Sequence, residues 1–387
     1  MMVIGKIPAL SVHWESDRLD PRAIGAALHN LWSDLHSRIG SASELRANTV
    51  NLIAVVENQD WVRSITDDLN AQQGFAPSRV IMLMLERSAS TGSFAIDVAL
   101  EPLPFDRGRA NAHYELIKVT APPDQATSLA SVASPLLLPE LPCYLYWTGN
   151  SLADSPLFEE LIEITDRLVF DSSLFTAPEA NLRAIGRLIA EPRAPIAGDF
   201  AWQRLTPWRN LLAQFFDHPD ALGELDKIEE VELVGRLAGQ NGQSGMTASL
   251  LIAGWLASSL GWRPPGPMVR AKDGWRVTLR AGEGTNVREI VLRIRLKRLA
   301  RKPGRVISIM MRSDDSDPVQ SLFRVERVSG EQIHTYSEFG GKPPIIRGVP
   351  APIVSDSVLL GRELASLGRD TIYESALLSA ITLMPED

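Results

Sequence analysis

The histidines and carboxylates that could perform catalysis are scattered through this sequence and form no known catalytic motif. The chain contains no phosphate-binding G-x-x-x-x-G-K-[ST], no zinc-protease H-E-x-x-H, no G-x-S-x-G, and no G-x-G-x-x-G that opens a helix after a strand. His29 and His36 would lie about 10 Å apart along one helix, which is too far for them to share a metal ion. Glu159 and Glu160 are adjacent, so they cannot face each other across a glycoside. We therefore expect a protein that is not an enzyme, with no catalytic residue, cofactor or metal ion.

One segment carries enough positive charge to recognise an anion. Residues 287–305, VREIVLRIRLKRLARKPGR, contain eight basic residues and one acidic residue. Their alternation predicts a strand that buries one row of side chains and displays the other. The displayed row could contact an acidic partner or an anionic ligand, or it could be solvated charge that discourages edge-to-edge pairing. The predicted buried row is Ile290, Leu292, Ile294 and Leu296, and the displayed row is Val291, Arg293, Arg295 and Lys297.

A glycine-rich segment precedes a predicted buried helix. In GQNGQSG, residues 239–245, three glycines recur at every third position. Such a loop could cradle a phosphate if the N-terminus of the next helix pointed at it, or it could be a flexible connection. The basic strand and this loop keep an alternative function open. In that alternative, the chain is a sugar-phosphate or nucleotide-binding protein, or an enzyme, that uses its N-terminal domain.

The stretch DFAWQRLTPWRNLLAQFFD, residues 199–217, concentrates two tryptophans and two arginines around the start of a helix. Thr206 can cap this helix, and Pro207 suits its first position. The helix dipole disfavours a cation in the first turn, so local helix physics does not explain Arg209. Tryptophan and arginine are enriched at interface hot spots, so the stretch is either a recognition surface or a core cluster with a snorkelling arginine. Its candidate partner contacts are Trp202, Arg204, Trp208 and Arg209.

The composition is that of a chain large enough for two domains. With 387 residues and 45% hydrophobic residues, it can bury more than one core. A net charge of -8 argues against a dedicated nucleic-acid or membrane-surface protein. The N-terminus lacks a sustained apolar run, and residues 247–262 are shorter than the roughly 20 apolar residues of a membrane span. Because Cys143 is the single cysteine, an internal disulfide is impossible. We expect a cytoplasmic protein.

Hydrophobic periodicity predicts two domains, residues 1–195 and 196–387, separated within the proline-rich segment EPRAPIAGD. The first is predicted to be an α/β domain with a mixed sheet and helices on both faces, preceded by an amphipathic helix over residues 21–39. The second is predicted to be an α+β domain, in which helices pack on one face of an antiparallel sheet. The predicted fold class is therefore α/β plus α+β.

The stretch AWQRLTPWRNLLAQFFD resembles the signature of the glucose-6-phosphate dehydrogenase assembly protein (OpcA) family. Other segments are similar to strands of that family and occur in the same order: TVNLIAVV with SRVIML, then SPLLLPELPCYLYWTG, then DRLVFDSS. The similarity spans about residues 46–217. The family usually has two adjacent tryptophans before a glycine, whereas this chain has Tyr146-Trp147-Thr148-Gly149.

The resemblance implies a non-catalytic subunit that binds glucose-6-phosphate dehydrogenase, promotes its active oligomer and raises its activity. Such a subunit would be an allosteric activator in the oxidative pentose phosphate pathway. It would have the dehydrogenase as its partner and would bind no nucleic acid, membrane or cofactor. The candidate contacts for that partner are Trp147, Trp202, Arg204, Trp208, Arg209, Arg293, Arg295 and Lys297.

Overall fold

The computed structural model describes residues 12–39, 45–46, 49–71, 79–86, 94–102, 112–153, 155–237, 244–284, 287–298, 306–313 and 320–385. The chain forms two compact units and passes between them several times, between residues 170 and 199 and again between residues 354 and 369. The first unit comprises Met1–Phe170, Arg193–Gly198 and Ser355–Gly368, and the second comprises Asp171–Pro192, Asp199–Val354 and Arg369–Asp387. The domain boundary predicted between residues 195 and 196 stays a prediction.

The described residues form strands and helices in alternation, followed by a long run of strands. The strands are β1 (Val12–Ser16), β2 (Leu45–Arg46), β3 (Asn51–Val56), β4 (Arg79–Leu85), β5 (Ala95–Pro102), β6 (Ala112–Ala121), β7 (Cys143–Trp147), β8 (Arg167–Phe170), β9 (Ile196–Asp199), β10 (Ile228–Leu237), β11 (Val269–Ala271), β12 (Gly274–Ala281), β13 (Arg288–Arg298), β14 (Val306–Ser313), β15 (Leu322–Arg327), β16 (Gln332–Glu338) and β17 (Ile345–Pro350). The helices are α1 (Pro21–Ile39), α2 (Gln59–Ala71), α3 (Ala126–Leu136), α4 (Pro156–Ile162), α5 (Pro178–Ile189), α6 (Phe200–Arg204), α7 (Thr206–Gln214), α8 (Pro219–Leu222), α9 (Ser244–Leu260), α10 (Asp356–Ala365) and α11 (Thr371–Leu383).

The first sheet is mixed, as the sequence predicts. Its strand order is β1-β5-β6-β4-β3-β7-β8-β9, with β2 paired to β6. Strands β6, β4, β3, β7 and β8 are parallel to one another. At one edge β5 pairs antiparallel with β6, and β1 pairs antiparallel with β5. The order from β6 to β9 is that of a doubly wound sheet, in which ligands bind beyond the carboxyl ends of the strands at the switch point.

The central strands of the first sheet are covered on both faces. Every residue of β3 and β7 is buried, which is typical of parallel strands between two layers of helices. The Leu-Pro-rich segment before β7 is held to β3 by one side chain. Asn51 donates to the carbonyl oxygens of Leu138 and Leu141 and accepts the N–H of Leu138. A buried polar side chain is thereby satisfied, and the loop is fixed in place.

A buried ion pair joins α10 to the first sheet. Arg167 on β8 donates to a carboxylate oxygen of Glu363 on α10 at 2.8 Å and to the carbonyl oxygen of Gly368 at 2.9 Å. The Glu363 carboxylate lies so close to β9 that a Cβ on Gly198 would be 2.3 Å from it. A larger residue at position 198 would therefore displace the carboxylate from the ion pair.

The second sheet has the order β11-β12-β13-β10-β14-β15-β16-β17. Its pairs are antiparallel with the exception of β10 and β13, which run parallel in register from Glu230 opposite Val291. The predicted fold class, α/β plus α+β, is confirmed, and this parallel pair is the departure from an antiparallel meander. It arises because β10, which precedes the meander in sequence, inserts between β13 and β14 and pairs on both sides.

Helices α9 and α11 form the helical layer of the second unit. Strand residues Leu233, Ile294 and Ile309 are buried beneath α9. The stretch at residues 247–262 was predicted to be a core helix, and the buried residues of α9 confirm this. Among the described residues, no helix is both long enough and apolar enough to cross a membrane.

Candidate functional site

The carboxylate of Asp199 fixes the start of the signature stretch. Asp199 is fully buried at the N-terminus of α6, where it accepts the N–H of Ala201 at 2.9 Å. It also accepts the N–H of Ser172 at 3.0 Å and the hydroxyl of Ser172 at 2.6 Å. Burial, reinforced by the nearby Asp171 carboxylate, raises the pKa of Asp199 to about 7. The stretch is thus tied to the Asp-Ser-Ser segment that follows β8 in sequence.

Asp171 binds the first arginine of the stretch. Its carboxylate accepts Arg204 Nη1 at 2.8 Å, and its other oxygen accepts the N–H and hydroxyl of Ser173. The Arg204 side chain is 20% exposed, and its guanidinium also lies 5.9 Å from the centre of the Phe200 ring. Arg204 is therefore held by a buried carboxylate inside the second unit.

Trp202 is a core residue with a polar anchor. Its side chain is 3% exposed, and Nε1 donates to Asp370 Oδ2 at 2.8 Å. The other Asp370 oxygen accepts the N–H of Tyr373 and caps α11. Arg209 stacks on the indole, with its guanidinium carbon 3.5 Å from the ring centre. Burial lowers the pKa of Arg209 to about 10, although the Asp370 carboxylate opposes that shift.

Trp208 is also buried, at 3% exposure, on the apolar side of α7. The Arg327 guanidinium lies 5.9 Å from its ring and donates to the Ala351 carbonyl oxygen at 2.9 Å. The prediction that Thr206 caps α7 is wrong, because the N-cap position is Leu205. The Thr206 hydroxyl instead accepts a hydrogen bond from Arg209 Nη2 at 3.1 Å. A partner role for the four signature residues stays a prediction, and it would have to act through the partly exposed edges of Arg204 and Arg209.

Trp147 is the last residue of β7, in the first unit. The side chain is 5% exposed, and its Nε1 donates to the carbonyl oxygen of Ser151 at 3.0 Å. Its ring packs edge-on against Phe158, with the centroids 5.2 Å apart. The following Thr148 hydroxyl donates to the Val55 carbonyl oxygen. Trp147 is consequently built into the turn, and its predicted contact with a partner is not tested by this geometry.

A cavity of about 920 Å³ lies beyond the carboxyl ends of β3, β4 and β7, where doubly wound sheets hold dinucleotides. Its residues do not suit a pyrophosphate. The turn after β3 is Glu57-Asn58 in place of glycines, and Asn58 already accepts the N–H groups of Asp60 and Trp61. Glu57 accepts the N–H of Asn150. The donors that would bind phosphate at the start of α2 are therefore occupied, and the Asp60 carboxylate opposes an anion there.

The predicted glycine-rich phosphate loop lies largely outside the described residues, which resume at Ser244. Within the described ranges, no group of three or more histidines, cysteines and acids is placed to hold a metal ion. The Cys143 thiol is buried in β7, and burial raises its pKa to about 12, with the nearby Asp166 carboxylate adding to the shift. The thiol is thus held in its unreactive protonated form.

The basic strand predicted from the sequence is β13. Ile290, Leu292 and Ile294 are buried as predicted, whereas Leu296, which was predicted to be buried, is only half-buried near the end of the strand, and the alternate residues are half-buried or exposed. Arg293 pairs with Glu230 on β10, and Arg295 pairs with Glu232 at 3.3 Å. Lys297 is exposed near the end of the strand. The neighbouring strand β10 thus supplies carboxylates that neutralise part of the displayed row.

Strand pairing extends the displayed row across the whole second sheet. We call the side of this sheet that faces away from α9 the outer face, and its central row has one residue from each strand. None of these residues is buried. Of these residues, only Arg293 was identified from the sequence. The alternation of apolar and polar residues in WRVTLR and LFRVER could also have identified Arg276 and Arg324 as outward-facing. In order of strand pairing the row is Val269, Arg276, Arg293, Glu232, Met310, Arg324, Tyr336 and Ile346.

Two family models match this chain. Residues 69–187 match the glucose-6-phosphate dehydrogenase subunit N-terminal domain, and residues 195–377 match the corresponding C-terminal domain, both of the OpcA type. Together the matches span most of the chain.

Curated relatives carry the same family name. An OxPP cycle protein OpcA from Synechocystis is 27% identical over 282 residues, which cover 70% of this chain and 56% of that protein. An OxPP cycle protein OpcA from Synechococcus elongatus is 25% identical over 329 residues, covering 83% of this chain and 70% of that protein. The chain thus matches little more than half the length of the Synechocystis relative.

Solved structures match this chain over most of its length, at low sequence identity. An NAD-binding oxidoreductase from Klebsiella pneumoniae has a TM-score of 0.47 at 10% identity, covering 86% of this chain and 94% of that one. A myo-inositol dehydrogenase from Lactobacillus casei has a TM-score of 0.44 at 11% identity, covering 87% and 94%. Likenesses at this level carry no argument about function.

Proposed function

This chain belongs to the OpcA family of glucose-6-phosphate dehydrogenase subunits, and from that membership we propose that it is a non-catalytic activator of the dehydrogenase. It binds glucose-6-phosphate dehydrogenase, promotes the active oligomer and raises its activity, in the oxidative pentose phosphate pathway of the cytoplasm. No nucleic acid, membrane or cofactor takes part in this role.

The observation that carries the proposal is the outer face of the second sheet. All eight strands contribute a residue to its central row, and each residue in that row is exposed or half-buried. Exposed apolar side chains stand at both ends, with Val269 at 64% and Ile346 at 65% exposure. Arginine, tyrosine and methionine, which occur between these ends, are enriched at protein interfaces. The candidates Arg293, Arg295 and Lys297 lie on this face.

Activation requires that the chain discriminate between two states of its partner. A subunit that bound the inactive and the active dehydrogenase with equal affinity would not shift the equilibrium between these two states. Preferential binding by about 1 to 3 kcal/mol would give the coupling seen in ordinary allosteric systems. A sheet face that contacts surfaces from two dehydrogenase subunits would supply this preference, because its full contact area would form only in the oligomer.

The alternative function, binding or turnover of a sugar phosphate or nucleotide in the first unit, has less support. The cavity lies at the switch point, where doubly wound sheets bind such ligands, yet Glu57 and Asp60 line the place where the phosphates would lie. Calorimetry against glucose 6-phosphate, NADP and NAD tests this alternative directly. Binding heat that is measured for the wild type and whose affinity rises in a Glu57→Arg variant, where a repulsive carboxylate is replaced by a cation, would favour it over the subunit role.

Size-exclusion chromatography with light scattering tests the proposed binding and assembly. The dehydrogenase of the same organism is analysed alone, with this chain, and with an unrelated protein of equal size. We expect a co-eluting complex whose mass contains more dehydrogenase subunits than the enzyme alone at the same concentration. Separate elution at micromolar concentrations would contradict the proposal.

A further inference from the structure

Three arginines lie near one another on the outer face, and we call them the arginine strip: Arg276 on β12, Arg293 on the adjacent β13, and Arg312 on β14, beyond the intervening strand β10. We propose that the arginine strip is the docking site for carboxylate side chains of the dehydrogenase. This inference rests on the proposed function and adds to it the place and the chemistry of the contact.

The strip contains more positive charge than its own carboxylate neutralises. Glu230 lies between Arg293 and Arg312 and contacts both guanidinium groups. One carboxylate therefore serves two arginines. The third arginine, Arg276, is exposed and is the direct cross-strand partner of Arg293. Like charges placed directly opposite each other destabilise a sheet. A carboxylate from another molecule that bound between these two arginines would relieve their repulsion.

Three other carboxylates of the outer face contact side chains of the same molecule. Glu232 pairs with Arg295 at 3.3 Å, and Glu326 lies 4.0 Å from Arg324. Glu338 accepts the Tyr336 hydroxyl. Most acids near the strip are thus engaged within the same molecule, and the strip retains an excess of arginine. An acidic surface on the dehydrogenase is the complementary occupant.

The chemistry of the strip suits carboxylates. A guanidinium group presents paired N–H donors that match the two oxygens of a carboxylate. Apolar neighbours flank the strip in the central row, with Val269 beside Arg276 on one side and Met310 beside Arg312 along β14 on the other. Apolar contacts around an arginine exclude water from the ion pair and strengthen it, as at interface hot spots.

The outer face is also large enough for a stable complex. Eight strands about 4.8 Å apart give a width of about 34 Å, and six residues at about 3.3 Å each give a length of about 20 Å. The resulting area of about 700 Å² is close to the roughly 800 Å² that each partner contributes to a standard interface. Docking of the dehydrogenase over the strip needs no other surface.

A charge reversal at Arg276 tests the inference with little risk to folding, because this side chain is exposed. The matched control is Arg22→Glu, which makes the same change at an exposed position of α1 in the first unit. Affinity for the dehydrogenase is measured by biolayer interferometry at two salt concentrations, with thermal unfolding as a check on the fold. We expect Arg276→Glu to weaken binding at least tenfold and to reduce its salt dependence.

The outcomes separate the two proposals. Equal affinity of Arg276→Glu and Arg22→Glu, with the wild type bound, would overturn the docking site and leave the proposed function standing. Failure of the wild type to bind would overturn both. If the chain alone formed a dimer that Arg276→Glu dissociated, the occupant would be a second copy, and the inference would be wrong.

Discussion

Single residues of the signature stretch stabilise the second unit through polar contacts that are largely buried. Asp199 and Asp171 bind the Ser172-Ser173 segment and Arg204, and Asp370 joins Trp202 to the start of α11. Each of these carboxylates accepts more than one hydrogen bond. A buried acid with several donors tolerates few substitutions, because removal of the acid leaves the donors unpaired.

Asp199 is expected to make stability depend on pH. Its folded pKa of about 7 exceeds the unfolded value near 4, so the folded state binds the proton more tightly. The stabilisation from this group is present in full below about pH 4 and is lost as pH rises to about 7. Asp199→Asn should flatten this decline, which amounts to about 1.4 kcal/mol for each unit of pKa difference. The measurement is the free energy of urea unfolding between pH 4 and 8.

A matched control for this prediction is Asp273→Asn, in the exposed turn between β11 and β12. This substitution makes the same chemical change without altering a buried acid. An Asp199→Asn variant whose pH profile matched those of the control and the wild type would show that Asp199 does not carry the raised pKa.

Trp208 is expected to contribute to the stability of the fold more than to docking. With 3% exposure, its truncation to alanine leaves a cavity and should lower the free energy of unfolding by about 3 to 5 kcal/mol. Asn210→Ala on the exposed side of α7 should change it by less than about 0.5 kcal/mol. Chemical denaturation of both variants checks the difference. A stable, cooperatively folded Trp208→Ala variant would contradict the core assignment and restore Trp208 as a surface contact.

At the scale of elements, the second unit depends on the close approach of α9 and α11. A Cβ on Gly254 would lie 2.1 Å from the carbonyl oxygen of Ala376 and 2.6 Å from the backbone nitrogen of Ala380. Both obstacles are backbone atoms, so no side-chain rotation relieves the clash. The helices can approach this closely only because small residues face each other at the crossing.

Gly254→Ala is therefore expected to destabilise the protein although alanine favours helices. Overpacking at this contact should cost about 1 to 3 kcal/mol. In α1, a Cβ on Gly25 would meet no atom within 4 Å, so Gly25→Ala should stabilise by about 0.5 to 1 kcal/mol. Melting temperatures of the two variants should move in opposite directions. A rise for Gly254→Ala would mean that the helices are not in contact there.

Helices and strands with a strong hydrophobic periodicity were predictable from the sequence, whereas the pairing of the strands was not. The helix expected over residues 21–39 is α1, because its apolar stripe recurs at helical spacing. The insertion of β10 between β13 and β14 left no local signal, since strand partners are set by packing over long sequence separations. The outer-face row joins residues from 232 to 346 and could not be assembled from any one segment. The burial of Trp202 and Trp208 was equally hidden, because a core cluster and an interface draw on the same residue types.

At the scale of the whole molecule, the two units present different surfaces for recognition. The first unit has a doubly wound sheet whose switch-point cavity lacks glycines and carries acids where phosphates would bind. The second unit has a wide sheet face with an excess of arginine at its centre, in a chain whose net charge is -8. This distribution favours a molecule that contacts a protein partner through one positive face over one that binds a small anion in a cleft.

The central claim is most directly tested by the rate of NADP reduction by the same organism's glucose-6-phosphate dehydrogenase, titrated with this chain. We expect a saturable rise in rate, with a midpoint that shifts to higher concentration for Arg276→Glu and not for Arg22→Glu. A rate that stays constant up to a large molar excess of the folded wild-type chain would contradict the claim that this protein activates the dehydrogenase.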